Sequence, residues 1–201
     1  MTTTKKATTK KTKTVTVTAK SSTNLNLPKN PFVFEVLDLV SRQRSKAKKV
    51  EVLKKYEELC LKGILIWNYD ESIVTLLPEG EVPYADPEEQ VTYSGTLSTK
   101  INETIRSLHE KGSFSLGAGD SQGRTTIRRE FKNFYQFVKG GNPGLNSIRR
   151  ETMFINILQG LHPLEAEIVV LAKDKSISDK YSITKEVVSE AYPNIVWSNQ
   201  S

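Results

Sequence analysis

The sequence is poorest in the residues that build catalytic and metal centres. Its 201 residues include one cysteine, Cys60, and two histidines, His109 and His162. A lone cysteine excludes an internal disulfide framework and any cysteine-based metal cluster. Cys60 lies inside the apolar pattern from Leu59 to Trp67, where a free thiol packs as a small, inert hydrophobe. The two histidines are far apart, and neither stands in a metal-ligand spacing. His162 directly precedes Pro163 and reads as a helix-start residue. No apolar run approaches the ~18 residues that span a membrane. The basic N-terminal stretch lacks the apolar segment of a signal peptide. Acids are missing from positions 1–29, which hold seven lysines. Beyond them 22 basic residues face 23 acidic ones, so the net charge of +6 belongs to this tail. Anion binding by the rest of the chain must therefore come from local clustering of charge.

Nucleotide-binding motifs are missing too. The stretch Gly117-Ala118-Gly119-Asp120-Ser121-Gln122-Gly123-Arg124-Thr125 invites a phosphate-loop reading but has the wrong spacing. The dinucleotide fingerprint needs its third glycine where Gln122 stands. The P-loop needs four residues between its glycines and then Lys, whereas five separate Gly117 from Gly123 and Arg follows. Residues 112–123 read as a mobile Gly-rich loop. With no nucleophile, metal or phosphate-loop motif, the expectation is a non-enzymatic protein without cofactor or small-molecule ligand.

Helical periodicity dominates what is present. Residues 1–29, built from Thr, Lys, Ser and Asn, lack the apolar residues that offset ordering entropy and read as a disordered basic tail. Asn30-Pro31 opens a first helix carrying Val33, Val36, Leu37 and Val40. A second places Ala47, Val50 and Leu53 inward, and a third Leu61, Ile64, Leu65 and Trp67. Asp70 is expected to cap a short fourth helix with Ile73, Val74 and Leu77. Leu97, Ile101, Ile105 and Leu108 give another stripe. A helix from about Thr125 to Lys139 turns Ile127, Phe131, Phe134, Tyr135 and Val138 inward. Ser147–Trp197 then strings three apolar helices together. The first, with Ile148, Ile155 and Leu158, ends on Gly160 in a left-handed cap. The second, with Leu164, Ile168 and Leu171, leads into a polar loop, Lys173–Ser182. The last carries Val187, Val188, Ala191 and Tyr192 and is closed by Pro193. The fold class is all-α: one compact multi-helix domain over 30–197, behind the tail and before a short end, 198–201.

Charge is clustered within this domain. Arg42, Arg44, Lys46, Lys48, Lys49, Lys54 and Lys55 face only Glu51 along the second helix. Arg124, Arg128, Arg129, Lys132, Lys139, Arg149 and Arg150 form a second cluster opposed by Glu130. The loop after the long C-terminal helices adds Lys173, Lys175, Ser176, Ser178, Lys180 and Ser182 beside a helix start. Such sites serve phosphate contact or plain solvation, and the sequence leaves both open. From Glu57 to Glu89 there are nine acids and one lysine, a sector that would face away from a nucleic acid or meet a basic protein.

Two resemblances add to this reading. Over Phe32–Tyr84 and Phe134–Trp197 the chain resembles an uncharacterised family of small proteins from T4-like phages. More distantly, Phe34–Val40, Ser45–Lys49 with Val50–Tyr56, and the blocks Arg149–Leu158, Val170–Asp174 and Ile183–Pro193 are similar to the helical N-terminal DNA-binding domain of T-even-type ATP-dependent DNA ligases. The adenylylation signature Lys-x-Asp-Gly and the catalytic domain are absent. The ligase resemblance implies sequence-tolerant binding to the backbone of duplex DNA without nick sealing. The phage resemblance implies a phage origin; with the ligase-like reading, the expectation is action in phage DNA metabolism in the host cytoplasm during infection, with no membrane partner and with a phage or host replication or transcription protein as a further partner. The candidate contacts are Lys173, Lys175, Ser178, Lys180, Ser182, Arg149, Arg150, Arg42, Arg44, Lys46, Lys48, Lys49, Arg128 and Arg129. The competing expectation is an adaptor or structural phage protein docking through the acidic sector 57–89.

Overall fold

A computed structural model describes residues 26–84, 95–110 and 124–198. The expected tail up to residue 25, the expected Gly-rich loop 112–123 and the last residues 199–201 lie outside the described residues. The described chain is helical: α1 (Val33–Ser41), α2 (Lys46–Lys55), α3 (Leu59–Tyr69), α4 (Leu97–Glu110), α5 (Ile127–Glu130), a 3-10 helix (Phe131–Phe137), α6 (Ser147–Gly160), α7 (Pro163–Lys173), α8 (Ile177–Tyr181) and α9 (Lys185–Ala191). Two two-residue strands, β1 (Pro83–Tyr84) and β2 (Gly95–Thr96), pair antiparallel beside α4.

Helix α7 is the hub, in contact with α1, α3, α4, α6 and α8. A helix surrounded by others needs apolar residues on most sides. Ala166, Ile168, Val169 and Ala172 of α7 are fully buried, and α1 buries seven of its nine residues. Pro163 sits at the first helical position, and the Nδ1 of His162 accepts the N–H of Leu164 at 3.1 Å. His162 stacks on Phe34, with ring centroids 5.1 Å apart.

A carboxylate joins three helix starts at this hub. Glu165, in the first turn of α7, is 1% exposed. One of its oxygens accepts the N–H of Val33 at 3.3 Å, and the other that of Ile127 at 3.0 Å. Val33 and Ile127 are the first residues of α1 and α5, so one side chain satisfies an otherwise orphaned donor on each. Desolvation pushes the carboxyl up to about 7, against the lowering pull of these two N–H groups and of Arg128. Glu35 lies close by and is also raised by burial.

Several local expectations are corrected. The first helix begins at Val33 rather than after Asn30, with Phe32 as its N-cap and the Glu35 carboxylate accepting the Phe32 N–H at 2.8 Å. No helix forms over Ile73–Leu77. Thr75 instead makes an antiparallel bridge with Val138, flanked by Leu76 N–H donating to the Phe137 carbonyl and Lys139 N–H to that of Val74, both at 2.8 Å. Asp70 closes the turn after α3, accepting from the Ser72 N–H at 3.0 Å and hydroxyl at 2.8 Å. β-branched Ile73, Val74 and Thr75 favour this extended path.

The helix expected over Thr125–Lys139 is one turn of α-helix followed by a 3-10 helix. With three residues per turn, Phe131, Phe134 and Phe137 align on one face. Successive rings lie 6.0 and 6.1 Å apart, and Phe137 meets Phe154 at 5.1 Å. Tyr135, expected inward, is left 53% exposed. On α6 the inward face is Arg150, Phe154, Ile157 and Leu158, while Ile148 is 77% exposed. Gly160 is not in the left-handed region, and α6 ends on an extended Leu161. The Gly160 carbonyl accepts the N–H groups of Arg124 and Thr125, at 2.7 and 2.9 Å, and a Cβ on Gly160 would press on Thr125. The loop Lys173–Ser182 contains α8, whose Ile177 and Tyr181 are buried; Ser182, at φ +48°, ends it. Cys60 is buried as expected, and burial pushes its thiol up to about 12.

Candidate nucleic-acid interface

Helix α2 carries the clearest basic surface. Ser45 caps it, its hydroxyl accepting the Lys48 N–H at 3.3 Å. Val50, Val52 and Leu53 are buried, and the helix packs on α1 and α9. That packing turns Ala47, Lys48, Glu51, Lys54 and Lys55 to the outside, with Arg44 exposed just before the cap. Glu51 is the only acid on the helix.

The cations of this cluster divide by what they touch. Arg42 pairs with Asp38 at 2.6 Å, one turn back on α1. Lys46 reaches Glu190 of α9 at 2.9 Å, an exposed pair of small energetic weight. Lys49 donates to the Ser182 carbonyl at 2.5 Å and so ties α2 to the turn before α9. Lys55 donates to the Asn26 side chain at 2.9 Å. Arg44, Lys48 and Lys54 are exposed, and their side chains make no ion pair or hydrogen bond among the described residues. Lys54 was not among the candidate contacts, although its place in the run Lys46–Lys55 is a sufficient signal.

In the second cluster only Arg150 is buried; Arg124, Arg128, Arg129, Lys132, Lys139 and Arg149 are exposed, Arg128 with its charge paired. Arg128 forks onto Glu58, its Nη2 at 2.6 Å from one carboxylate oxygen, and also reaches the Pro31 carbonyl at 3.2 Å. This contact with Arg128 holds the Glu58 carboxyl below its ordinary value. Arg150, a candidate contact, is buried. Its guanidinium donates to the carbonyls of Gln136 (2.9 Å), Asn142 (3.3 Å) and Leu145 (2.7 Å), closing the loop ahead of α6. Arg129 and Arg149 remain on the surface. Arg149 lines an open groove between the 3-10 helix and α6, with Asn133, Gln136 and Asn156 among its neighbours.

The loop from Lys173 departs most from expectation. Lys173 is 4% exposed and donates to the Pro78 carbonyl at 2.6 Å while pairing with Asp174. Lys175, at φ +58°, turns its ammonium back onto the carbonyls of Trp67 and of Asp70, the latter at 2.8 Å. Burial lowers its pKa, against the raising pull of Asp70 and Glu71. Both ammonium groups are thus spent on carbonyls at the end of α3 and in the following loop, which removes them as phosphate contacts. Lys180 is exposed but pairs with Glu167 and lies over the Tyr181 ring, 5.6 Å from its centroid. Ser178 is half-buried beside Asp179, and Ser182 is exposed with its carbonyl engaged by Lys49.

The acidic sector is divided in the same way. Glu57 pairs with Lys62, Glu58 with Arg128, Asp70 with Ser72, and Glu81 accepts from Ser98 at 2.6 Å. Glu71 and Glu79 stay exposed, and the acids at 86, 88 and 89 lie outside the described residues.

Among the described residues no group of three or more His, Cys, Asp or Glu could hold a metal ion, and no helix is long and apolar enough to cross a membrane. Neither the curated proteins nor the solved structures hold a match to the chain. One family model does match, over residues 36–121 and 115–179, which runs from α1 into α8 and covers more than half of the chain. The chain belongs to this family, the family of unknown function DUF6433.

Proposed function

We propose that this protein is a non-enzymatic binder of duplex DNA that grips the phosphate backbone without sequence preference. The observation that carries this reading is the outer face of α2. Arg44, Lys48 and Lys54 stand exposed around a single acid, with no internal partner among the described residues. Free, clustered cations on a rigid helix suit phosphate contacts, which position a protein on a duplex and need no base code. The resemblance of the helical blocks to a ligase DNA-binding domain, and to small phage proteins, points the same way. It makes phage DNA metabolism in the host cytoplasm the setting. The adaptor reading is weaker, because four of the six described acids in its docking sector are taken up inside the chain.

The test uses the full chain with Lys5, Lys6, Lys10, Lys11, Lys13 and Lys20 changed to Gln, which removes six of the seven lysine charges of residues 1–29. Fluorescence anisotropy on a duplex of mixed sequence should show binding at low salt. Adding Arg44→Gln, Lys48→Gln and Lys54→Gln should flatten the slope of log affinity against log salt by up to about 2.7, at roughly 0.9 per phosphate contact. Glu51→Gln should tighten binding. No binding at low salt, or binding indifferent to all four changes, overturns the reading.

A further inference from the structure

The groove beside Arg149 lies between two helices of different pitch. Residues three apart on a 3-10 helix eclipse one another, so Glu130 at its N-cap, Asn133 and Gln136 stand in one row, about 6 Å apart. Arg149, Met153 and Asn156 line the other wall, on α6. Met153 and the buried Ile157 put aliphatic surface at the base. The walls run antiparallel. At one end Arg150 donates to the Gln136 carbonyl at 2.9 Å. At the other, Thr125 donates its hydroxyl to Glu130 at 2.8 Å and its N–H to the Gly160 carbonyl at 2.9 Å. The walls are about 12 Å and 10 Å long, at 2.0 and 1.5 Å per residue, and they enclose about 500 Å³. The polar groups are only partly used. Asn133 donates to Glu130 at 2.9 Å, and Gln136 accepts from Asn142 at 3.4 Å. The Asn133 oxygen and the Gln136 NH2 are left for a ligand. Arg149 and Asn156 are exposed, and their side chains make no ion pair or hydrogen bond among the described residues.

We infer that this groove docks an extended peptide segment of a partner protein, with a carboxylate of that segment on Arg149. The inference goes beyond the nucleic-acid reading and does not depend on it. An extended chain turns an amide to the same side every second residue, about 6.7 Å, close to the ~6 Å step of the Asn133–Gln136 row. Three to four residues, at ~3.4 Å each, match the length of the walls. Each peptide group offers one donor and one acceptor, and a side-chain amide returns both. Arg149 stands at the end away from Glu130 and supplies a charge-assisted contact for a carboxylate. Nucleic acid fits this groove less well. No aromatic ring among the described residues lines it for base stacking, and Glu130 opposes a run of phosphates.

The experiment selects a displayed library of random seven-residue peptides on the native chain and on the chain carrying Arg149→Gln and Asn156→Ala. Peptides enriched on the native chain should bind it at least about tenfold more tightly than the changed chain, since a lost hydrogen bond to a charged group alone is worth that much. Synthesis of these peptides with free and amidated C-termini identifies the carboxylate. Loss of binding on amidation places the terminal carboxylate at Arg149, and indifference places an Asp or Glu side chain there. Met153 is one of two methionines in the sequence, so its methyl NMR signal gives a second readout on the native chain. That signal should shift when a selected peptide is added. No enrichment on the native chain over the changed one, affinities within twofold, or an unshifted Met153 methyl overturns the inference. So does a mixed-sequence single-stranded DNA octamer that shifts this methyl and displaces the peptide, which makes the groove a nucleotide site. A native dimer that the two changes dissociate overturns it as well, with a second copy as the occupant. Both changed residues are exposed, and far-ultraviolet circular dichroism checks that the variant folds.

Discussion

Glu165 offers the sharpest test of the fold. Its two oxygens take N–H groups from Val33 and Ile127, and it is buried. A buried donor left without a partner costs about 1–3 kcal/mol, so Glu165→Ala should lower stability by about 2–6 kcal/mol. Glu165→Gln keeps the shape but turns an NH2 toward one of the two donors, and should cost about 1–3 kcal/mol. The two proteins should also differ in pH response. The carboxyl stands at about 7 in the fold against 4.5 ordinarily. Between these values the folded chain keeps a proton that the unfolded chain releases. The stabilisation from protonation is complete below pH 4.5, declines as pH rises toward 7, and is lost above it. Over that window the native protein should lose roughly 3 kcal/mol more than the Gln variant, at 1.36 kcal/mol per unit. Glu35, also raised by burial, is common to both proteins, and because its charge helps to raise Glu165 the difference reports the coupled pair. Urea denaturation of both at pH 4.5 and 8 measures the difference. A native curve that parallels the Gln variant refutes the raised carboxyl. An Ala variant that costs under 1 kcal/mol refutes the shared cap.

Three further predictions follow from named contacts. Arg150→Met should destabilise the chain by about 3 kcal/mol or more in urea, since three carbonyls lose a charged donor, whereas exposed Arg149→Gln should stay within about 0.5 kcal/mol. Lys173→Met should lower the melting temperature and leave duplex affinity unchanged; reduced affinity in a fully folded variant would return Lys173 to the interface. Gly141→Ala would set its Cβ 1.7 Å from the Tyr135 carbonyl oxygen, so it should cost about 1–3 kcal/mol or more by thermal denaturation.

Sequence by itself determined the helical class and most of the core. Apolar residues three and four apart bury one face wherever that face packs, so Val33, Val36, Leu37 and Val40 in α1, and Ile168 in α7, could be assigned from spacing alone. Cys60 was legible because a thiol within an apolar run packs as a small hydrophobe, and its contact with the Glu58 carboxylate came only with the fold. Phe131, Phe134 and Phe137 carried a period of three that announces a 3-10 face, but it sits within the wider α-helical pattern. The expected helix after Asp70 failed for a different reason. Its backbone found partners at Phe137, Val138 and Lys139, more than 60 residues away, and no local propensity reports that.

The fate of the cations was decided only by tertiary structure. A lysine in a polar loop and a lysine on a helix face look alike in sequence, and both promise a phosphate contact. Lys173, Lys175, Arg128 and Arg150 fold back onto carbonyls or a carboxylate supplied by distant segments, because a loop beside a crowded hub leaves acceptors within reach. Arg44, Lys48 and Lys54 stay outward because α2 packs only its opposite face, on α1 and α9. Charge clustering is written in the chain. Whether a charge faces water or a buried carbonyl depends on which segments meet, and that is settled by packing around α7.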